Sequence, residues 1–176
     1  MPFSDITVLI VEDDNTLAQM WDRICTEIGF KTITSPTIKG GLEHLDADIM
    51  LCDMVLADGK AEILIDRWVE ENGGPFVCVS GVLSSDQIRN LILQGAFNSF
   101  SKLDFDSEML RTLVVRYARW VMVVKSLDGL RDEMRAQTAK FTLHLKIMWG
   151  VIGALSVLLG LAELWEALGP AILLLF

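Results

Sequence analysis

The chain is poor in the residues that most often announce a site. It has two histidines, three cysteines, four prolines and one tyrosine among 176 residues. Cys25, Cys52 and Cys78 form no CxxC or other metal-ligand spacing, which excludes a zinc ribbon or a paired-thiol redox motif. Cys52 and Cys78 fall in apolar runs and read as small buried hydrophobes, a usage that fits a reducing compartment. His44 has no partner group near it in sequence and reads as a surface residue. Positive charge is also scarce: 15 Lys and Arg stand against 24 Asp and Glu, a net charge of −9. That balance argues against nucleic acid as a partner, and no basic recognition helix offsets it. No solenoid repeat is present. The first residues, Met1-Pro2-Phe3-Ser4-Asp5, lead at once into an apolar run without a basic-then-apolar leader, so no signal peptide is expected.

What is abundant is apolar residue. The hydrophobic fraction is 52 % and the mean hydropathy is +0.42, high for an α/β domain of this length. The excess is concentrated toward the C-terminus.

The chain is organised around Asp53. It ends Asp48-Ile49-Met50-Leu51-Cys52, an apolar run that reads as a buried parallel strand, and a turn signal ending in Gly59 follows. Taken alone, an aspartate there reads as a helix cap. Four other residues change the reading. Glu12 and Asp13, with Asp14 after them, end the strand Ile6–Val11. Three successive acids repel unless a cation or solvent screens them. Ser80 ends the strand Phe76–Val79, and Lys102 ends a weaker one near Asn98–Ser101. In a parallel sheet the carboxyl ends of strands lie together and form the ligand crevice. Carboxylates with open positions suit a hard cation such as Mg²⁺. Such a cation would neutralise an incoming phosphoryl group whose other oxygens Lys102 and Ser80 contact.

Between these strands lie helical patterns. Thr16–Ile28 is expected to be a helix capped by Asn15 and ended by Gly29, with Leu17, Met20, Trp21, Ile24 and Ile28 facing the sheet. Lys31–Thr34 reads as a strand closed by Pro36. Weaker helical signal covers Ile38–Leu45, where Gly40 and Gly41 reduce propensity. Lys60–Glu71 reads as a helix stopped by Asn72-Gly73-Gly74-Pro75. Ser84 or Ser85 starts the next helix, and Asp104 or Asp106 starts a long one with Leu110, Leu113, Val114 and Tyr117 on one face. Strand and helix in alternation define an α/β fold, a doubly wound five-stranded parallel sheet.

The five strand-end positions, in this order and at this spacing, resemble the receiver domain of two-component response regulators (flavodoxin-like fold) from about Ile6 to Trp120. By that resemblance Asp53 is the phosphoacceptor, with Ser80 the switch hydroxyl and Lys102 the invariant lysine. Glu12, Asp13, Asp53 and the main-chain carbonyl of Val55 are the Mg²⁺ ligands. The implied partner is a histidine kinase or phosphotransfer protein, and the implied role is a phosphoacceptor switch, not an enzyme with turnover. Three positions depart from the family. Ala57 and Leu103 stand where it usually has proline, and Ser99 stands where it has an aromatic switch residue. These departures leave open a second reading, a scaffold that uses the fold only for docking.

Three segments are expected: a receiver over residues 1–122, a helical stalk or linker over 123–146, and an apolar anchor over 147–176. In the stalk, Leu113, Tyr117, Trp120, Val124, Leu127, Met134, Phe141 and Leu145 keep steps of three and four, the seam of a parallel coiled coil and hence of a homodimer. Arg131 and Thr138 interrupt it and Gly129 weakens it; the alternative is a helix folded back on its own receiver. From Ile147 to Ala162 no residue is charged, about 24 Å of helix at 1.5 Å per residue. Continuing through Leu168 reaches the thickness of a bilayer core and takes in Glu163 and Glu166 near the far interface. Trp149 and Trp165 would mark the interfaces, and Lys140 and Lys146 the cytoplasmic side. Small residues at Gly150 and Ala154, and at Ser156 and Gly160, would allow close helix contact in lipid. The expectation is a transmembrane helix in the inner membrane, with the receiver facing the cytoplasm. The competing reading is a water-soluble oligomerisation helix.

Overall fold

The computed structural model describes residues 3–81, 85–93, 96, 98–102 and 106–158. The elements are β1 (Thr7–Val11), α1 (Asn15–Ile28), β2 (Lys31–Ser35), α2 (Ile38–Gly41), β3 (Ile49–Asp53), β4 (Val55–Leu56), β5 (Gly59–Lys60), α3 (Glu62–Glu71), β6 (Phe76–Ser80), α4 (Ser85–Leu93), β7 (Asn98–Ser101) and α5 (Ser107–Leu158). Five strands form one parallel sheet in the order β2-β1-β3-β6-β7. The chain leaves β1 toward one edge and returns to build the other, so the strand order reverses between β1 and β3, where such sheets bind ligands.

Alternation along the central strands fills two cores. Val8, Ile10, Ile49, Leu51, Val77 and Val79 pack with Trp21, Ile24 and Cys25 of α1 and with Leu110, Val114 and Tyr117 of α5. Leu9, Val11, Met50, Cys52, Phe76 and Cys78 face the other way, onto Ile38, Leu64, Ile65, Trp68 and Leu91. Because both faces are covered, β1, β3 and β6 read as unbroken apolar runs. Desolvation pushes the thiols of Cys25 and Cys78 up to about 12, and that of Cys52 well above its ordinary value. All three cysteines are buried, free and chemically quiet, as the apolar runs around Cys52 and Cys78 implied for those two.

Local chemistry explains most boundaries. Gly29 ends α1 at φ 106°, a left-handed cap whose amide reaches the carbonyls of Cys25 and Thr26. At the start of α1 the expected cap is displaced by one residue. Asp14, not Asn15, caps the helix, its Oδ1 accepting from Thr16 N at 2.8 Å and Leu17 N at 3.2 Å. Asp106 caps α5 through Met109 N at 2.7 Å; Asp104 and Ser84 lie outside the described residues. The helix expected from Lys60 starts at Glu62, because Gly59 and Lys60 pair with Val55 and Leu56 as a small antiparallel hairpin. The pattern over Ile38–Leu45 resolves into the four residues of α2 and a single 3₁₀ turn, Leu42–His44.

Trp68 is wholly buried, and its indole N–H donates to the Gly74 carbonyl at 2.9 Å. Trp68→Ala therefore removes a large core side chain and leaves a half-buried carbonyl without its donor, at an expected cost of about 3–5 kcal/mol. A urea midpoint equal to that of the wild type would contradict this.

By contact the chain divides into two units, Met1–Val124 and Lys125–Phe176. In the second unit the described residues are helical. Leu127, Leu130, Met134, Phe141 and Leu143 are exposed on it. Asp128–Arg131 and Asp132–Arg135 form ion pairs one turn apart, and Thr138 and Thr142 return their hydroxyls to carbonyls of their own helix. Leu113 and Tyr117, read from sequence as part of a stalk seam, belong instead to the sheet's core. Among the described residues no helix is long and apolar enough to cross a membrane. The uncharged run from Ile147 continues beyond Leu158, outside them, as do Gly160, Glu163, Trp165 and Glu166.

Candidate functional site

β1, β3 and β6 end side by side, which brings the residues at their carboxyl ends to one edge of the sheet. Glu12 and Asp13 follow β1, Asp53 ends β3, Ser80 ends β6, and Lys102 follows β7. Register places Cys52 beside Val11 and Val79 beside Asp53, and the Lys102 amide donates to the Ser80 carbonyl at 2.8 Å. Glu12, Asp53 and Ser80 are buried, an unusual setting for carboxylates. Asp13 is exposed.

Lys102 joins the two buried acids. Its Nζ donates to Glu12 Oε1 at 2.9 Å and to Asp53 Oδ2 at 2.8 Å. Asp53 Oδ1 accepts from the Val55 amide at 3.3 Å, and Glu12 Oε1 from the Asp14 amide at 3.1 Å. Burial raises the Glu12 carboxyl above its ordinary range, against the hydrogen bonds and charge of Lys102 that lower it. For Lys102, burial pulls the ammonium down, but its hydrogen bonds to Asp53 and Glu12 and their charges together raise it. The lysine is therefore held charged between them.

One carboxylate oxygen from each of Glu12, Asp13 and Asp53 lies within 4.8 Å of the other two. Three carboxylates against the one ammonium of Lys102 leave a formal charge of −2 when all are ionised, which a divalent cation would balance. Glu12 Oε2 is buried and also lies 2.9 Å from the same ammonium, so Lys102 meets both oxygens of that carboxylate. An all-oxygen donor set with that excess of negative charge fits Mg²⁺. Asp14, although third in the acidic run, is outside the cluster: its carboxyl caps α1, and hydrogen bonds from Leu17 and Thr16 hold it below its usual range.

Of the departures noted in the sequence, Ser99 is buried on β7 in register with Cys78, and Phe100 beside it packs against the core shared with α1 and α5. Leu103 lies outside the described residues. Sequence reasoning did not find Asp58, whose carboxylate accepts from Ile38 N at 3.0 Å and Lys39 N at 3.2 Å. Its position beside Gly59 gave only a turn signal.

The fold is that of receiver domains. The signal receiver domain of a Luxo repressor protein from Vibrio parahaemolyticus superposes with a TM-score of 0.64 at 22 % identity, covering 70 % of this chain and 98 % of that one. A CheY-like response regulator receiver domain protein from Methanospirillum hungatei gives 0.62 at 19 % identity, covering 66 % and 96 %. The beryllofluoride-activated NtrC4 receiver domain dimer gives 0.59 at 20 % identity, covering 65 % and 98 %. No protein-family model matches the chain, and no curated protein matches its sequence.

Proposed function

We propose that the chain is a phosphoacceptor switch of a two-component phosphorelay, modified on Asp53 with Mg²⁺ and held at a membrane by its C-terminal segment. The observation that carries the first half is the Glu12–Lys102–Asp53 bridge with the Asp13 carboxylate clustered beside it. Structural matter alone does not need two buried carboxylates on one ammonium, since breaking such a group is costly and forming it gains little.

The residues divide the work. An Asp53 carboxylate oxygen would attack the phosphorus of a phosphohistidine, and the P–N bond would break to give an acyl phosphate. Lys102, held charged, would contact a phosphoryl oxygen, and Ser80 would take another. Glu12, Asp13 and the Val55 carbonyl, with Asp53, would hold the Mg²⁺. When bound, that ion supplies positive charge for the transferring group. The donor would be a histidine kinase or phosphotransfer protein. The protein then acts as a switch without turnover of its own.

For the second half, support comes from the uncharged run Ile147–Ala162 flanked by Lys140 and Lys146, and from Ile147, Met148, Val151 and Leu155, all exposed. The flanking lysines support a receiver on the cytoplasmic side of the inner membrane. The exposed Leu127, Leu130, Met134 and Phe141 support pairing of two stalks as a coiled-coil homodimer.

The scaffold reading has one observation in its favour, the buried Ser99 where receivers carry an aromatic switch residue. Beryllofluoride with Mg²⁺ separates the two readings. Amide shifts are expected at Asp53, Ser80 and Lys102, and smaller ones along β7 and α5, because Ser99 couples poorly outward. Absence of any shift at Asp53 would favour the scaffold. Shifts largest at Ser99 and Phe100 would refute the weak coupling.

A further inference from the structure

Asp58 sits at the tip of the hairpin that follows Asp53, in the two-residue turn Ala57–Asp58 between β4 and β5. Across 20 residues of sequence its carboxylate reaches the start of α2, where Ile38 N and Lys39 N donate to its two oxygens. Amides at a helix start need such acceptors. Yet α2 already has one: Thr37 Oγ1 accepts from Gly40 N at 3.1 Å. A four-residue helix gains little from a second cap. What the second cap does is tie down the hairpin.

Both ends of this tie return to the site. On one side, the Val55 amide donates to Asp53 Oδ1 at 3.3 Å. On the other, Thr37 N donates to Ser35 Oγ at 3.3 Å, Ser35 Oγ donates to the Thr37 carbonyl at 2.9 Å, and the Ser35 carbonyl accepts from Glu12 N at 3.0 Å. A hydrogen-bonded path thus runs from Asp53 through the hairpin, Asp58, α2 and Ser35 to the backbone of Glu12. The hairpin's inner residues, Met54 and Leu56, are buried in the core below α2, but its exposed tip is held to α2 by the Asp58 carboxylate. We infer that Asp58 is a positioning residue for the cation site: by clamping the hairpin to α2 it sets the Val55 main chain relative to Asp53 and Glu12, and so sets how tightly a divalent cation is held. This rests on the Mg²⁺ site proposed above. The hydrogen bond from Ile38, foremost among those at Asp58, keeps its carboxyl below the usual range and thus ionised as the clamp requires.

The test uses the full chain in mild detergent and Mg²⁺ alone, without a phosphodonor. Asp58→Ala is expected to weaken Mg²⁺ binding about fivefold by calorimetric titration. In the metal-free protein it is expected to speed amide hydrogen exchange at Val55 and Leu56. Asp58→Asn, which keeps an acceptor oxygen, is expected to recover most of the affinity. Thr37→Ala is the control: it removes the other cap of α2 and is expected to lower the melting temperature without moving Mg²⁺ affinity. The inference is overturned if Asp58→Ala stays within about twofold of wild type in affinity, or if Thr37→Ala shifts affinity equally. A wild-type chain that binds no Mg²⁺ overturns the phosphoacceptor reading as well, whereas wild-type binding with an unaffected Asp58→Ala overturns only the clamp.

Discussion

Incubation with acetyl phosphate and Mg²⁺ is expected to put a labile phosphoryl group on Asp53, and Asp53→Asn to abolish it. The argument is electrostatic. Asp53 is buried beside Glu12, with the single ammonium of Lys102 hydrogen-bonded to both at 2.8 and 2.9 Å. An incoming phosphoryl group brings further negative charge into a cluster already short of positive charge, so transfer without a divalent cation is expected to be very slow. Asp13→Asn keeps the fold, because Asp13 is exposed. It removes one of three clustered carboxylates and is expected to weaken Mg²⁺ affinity by about tenfold or more, roughly 1.4 kcal/mol. Lys102→Ala leaves two acids facing each other without their shared cation and is expected to slow phosphorylation while lowering stability. Intact-mass spectrometry reads the adduct directly. A wild-type chain that gains no labile adduct from any small phosphodonor, with Mg²⁺ present or absent, leaves the scaffold reading standing in place of the switch.

The full chain is expected to remain in the membrane pellet after carbonate extraction, and a truncation ending at Ser126 to be soluble. The uncharged run from Ile147 to Ala162 supplies the driving force. On the insertion scale each central Leu, Ile, Phe or Val favours the bilayer by about 0.3–0.6 kcal/mol, whereas an Arg at mid-helix costs about 2.5–3.5 kcal/mol. Leu155 is exposed and near the middle of the run, so Leu155→Arg is expected to shift most of the protein to the supernatant. Replacing Gly150 and Ala154 with Leu is expected to reduce crosslinking between protomers without releasing them, since small residues allow close helix approach in lipid. If full chain and truncation are both soluble without detergent, the tail is an oligomerisation helix in water and the membrane assignment falls.

By itself the sequence determined what local patterns record. Apolar runs marked β1, β3 and β6, because strands buried on both faces carry little polar residue. Helical spacing marked α1 and the sheet-facing side of α5, and Gly29 marked a left-handed cap. Once those runs, and the weaker one before Lys102, were read as parallel strands, Glu12, Asp13, Asp53, Ser80 and Lys102 were expected together at their carboxyl ends. Tertiary structure alone decided how those members pair. Lys102 meets Glu12 across 90 residues of sequence, a contact made by strand order and absent from any local window. It also divided three adjacent acids into different tasks: Asp14 turns to the start of α1, whereas Glu12 and Asp13 stay with Asp53. Val55–Lys60 became a hairpin pinned by Asp58, and Leu113 and Tyr117 were taken into the core instead of a stalk. Periodicity reports only that a face is apolar. Which surface covers that face, and which donor a carboxylate meets, depends on elements distant in the chain that only folding brings within about 3 Å, the reach of a hydrogen bond.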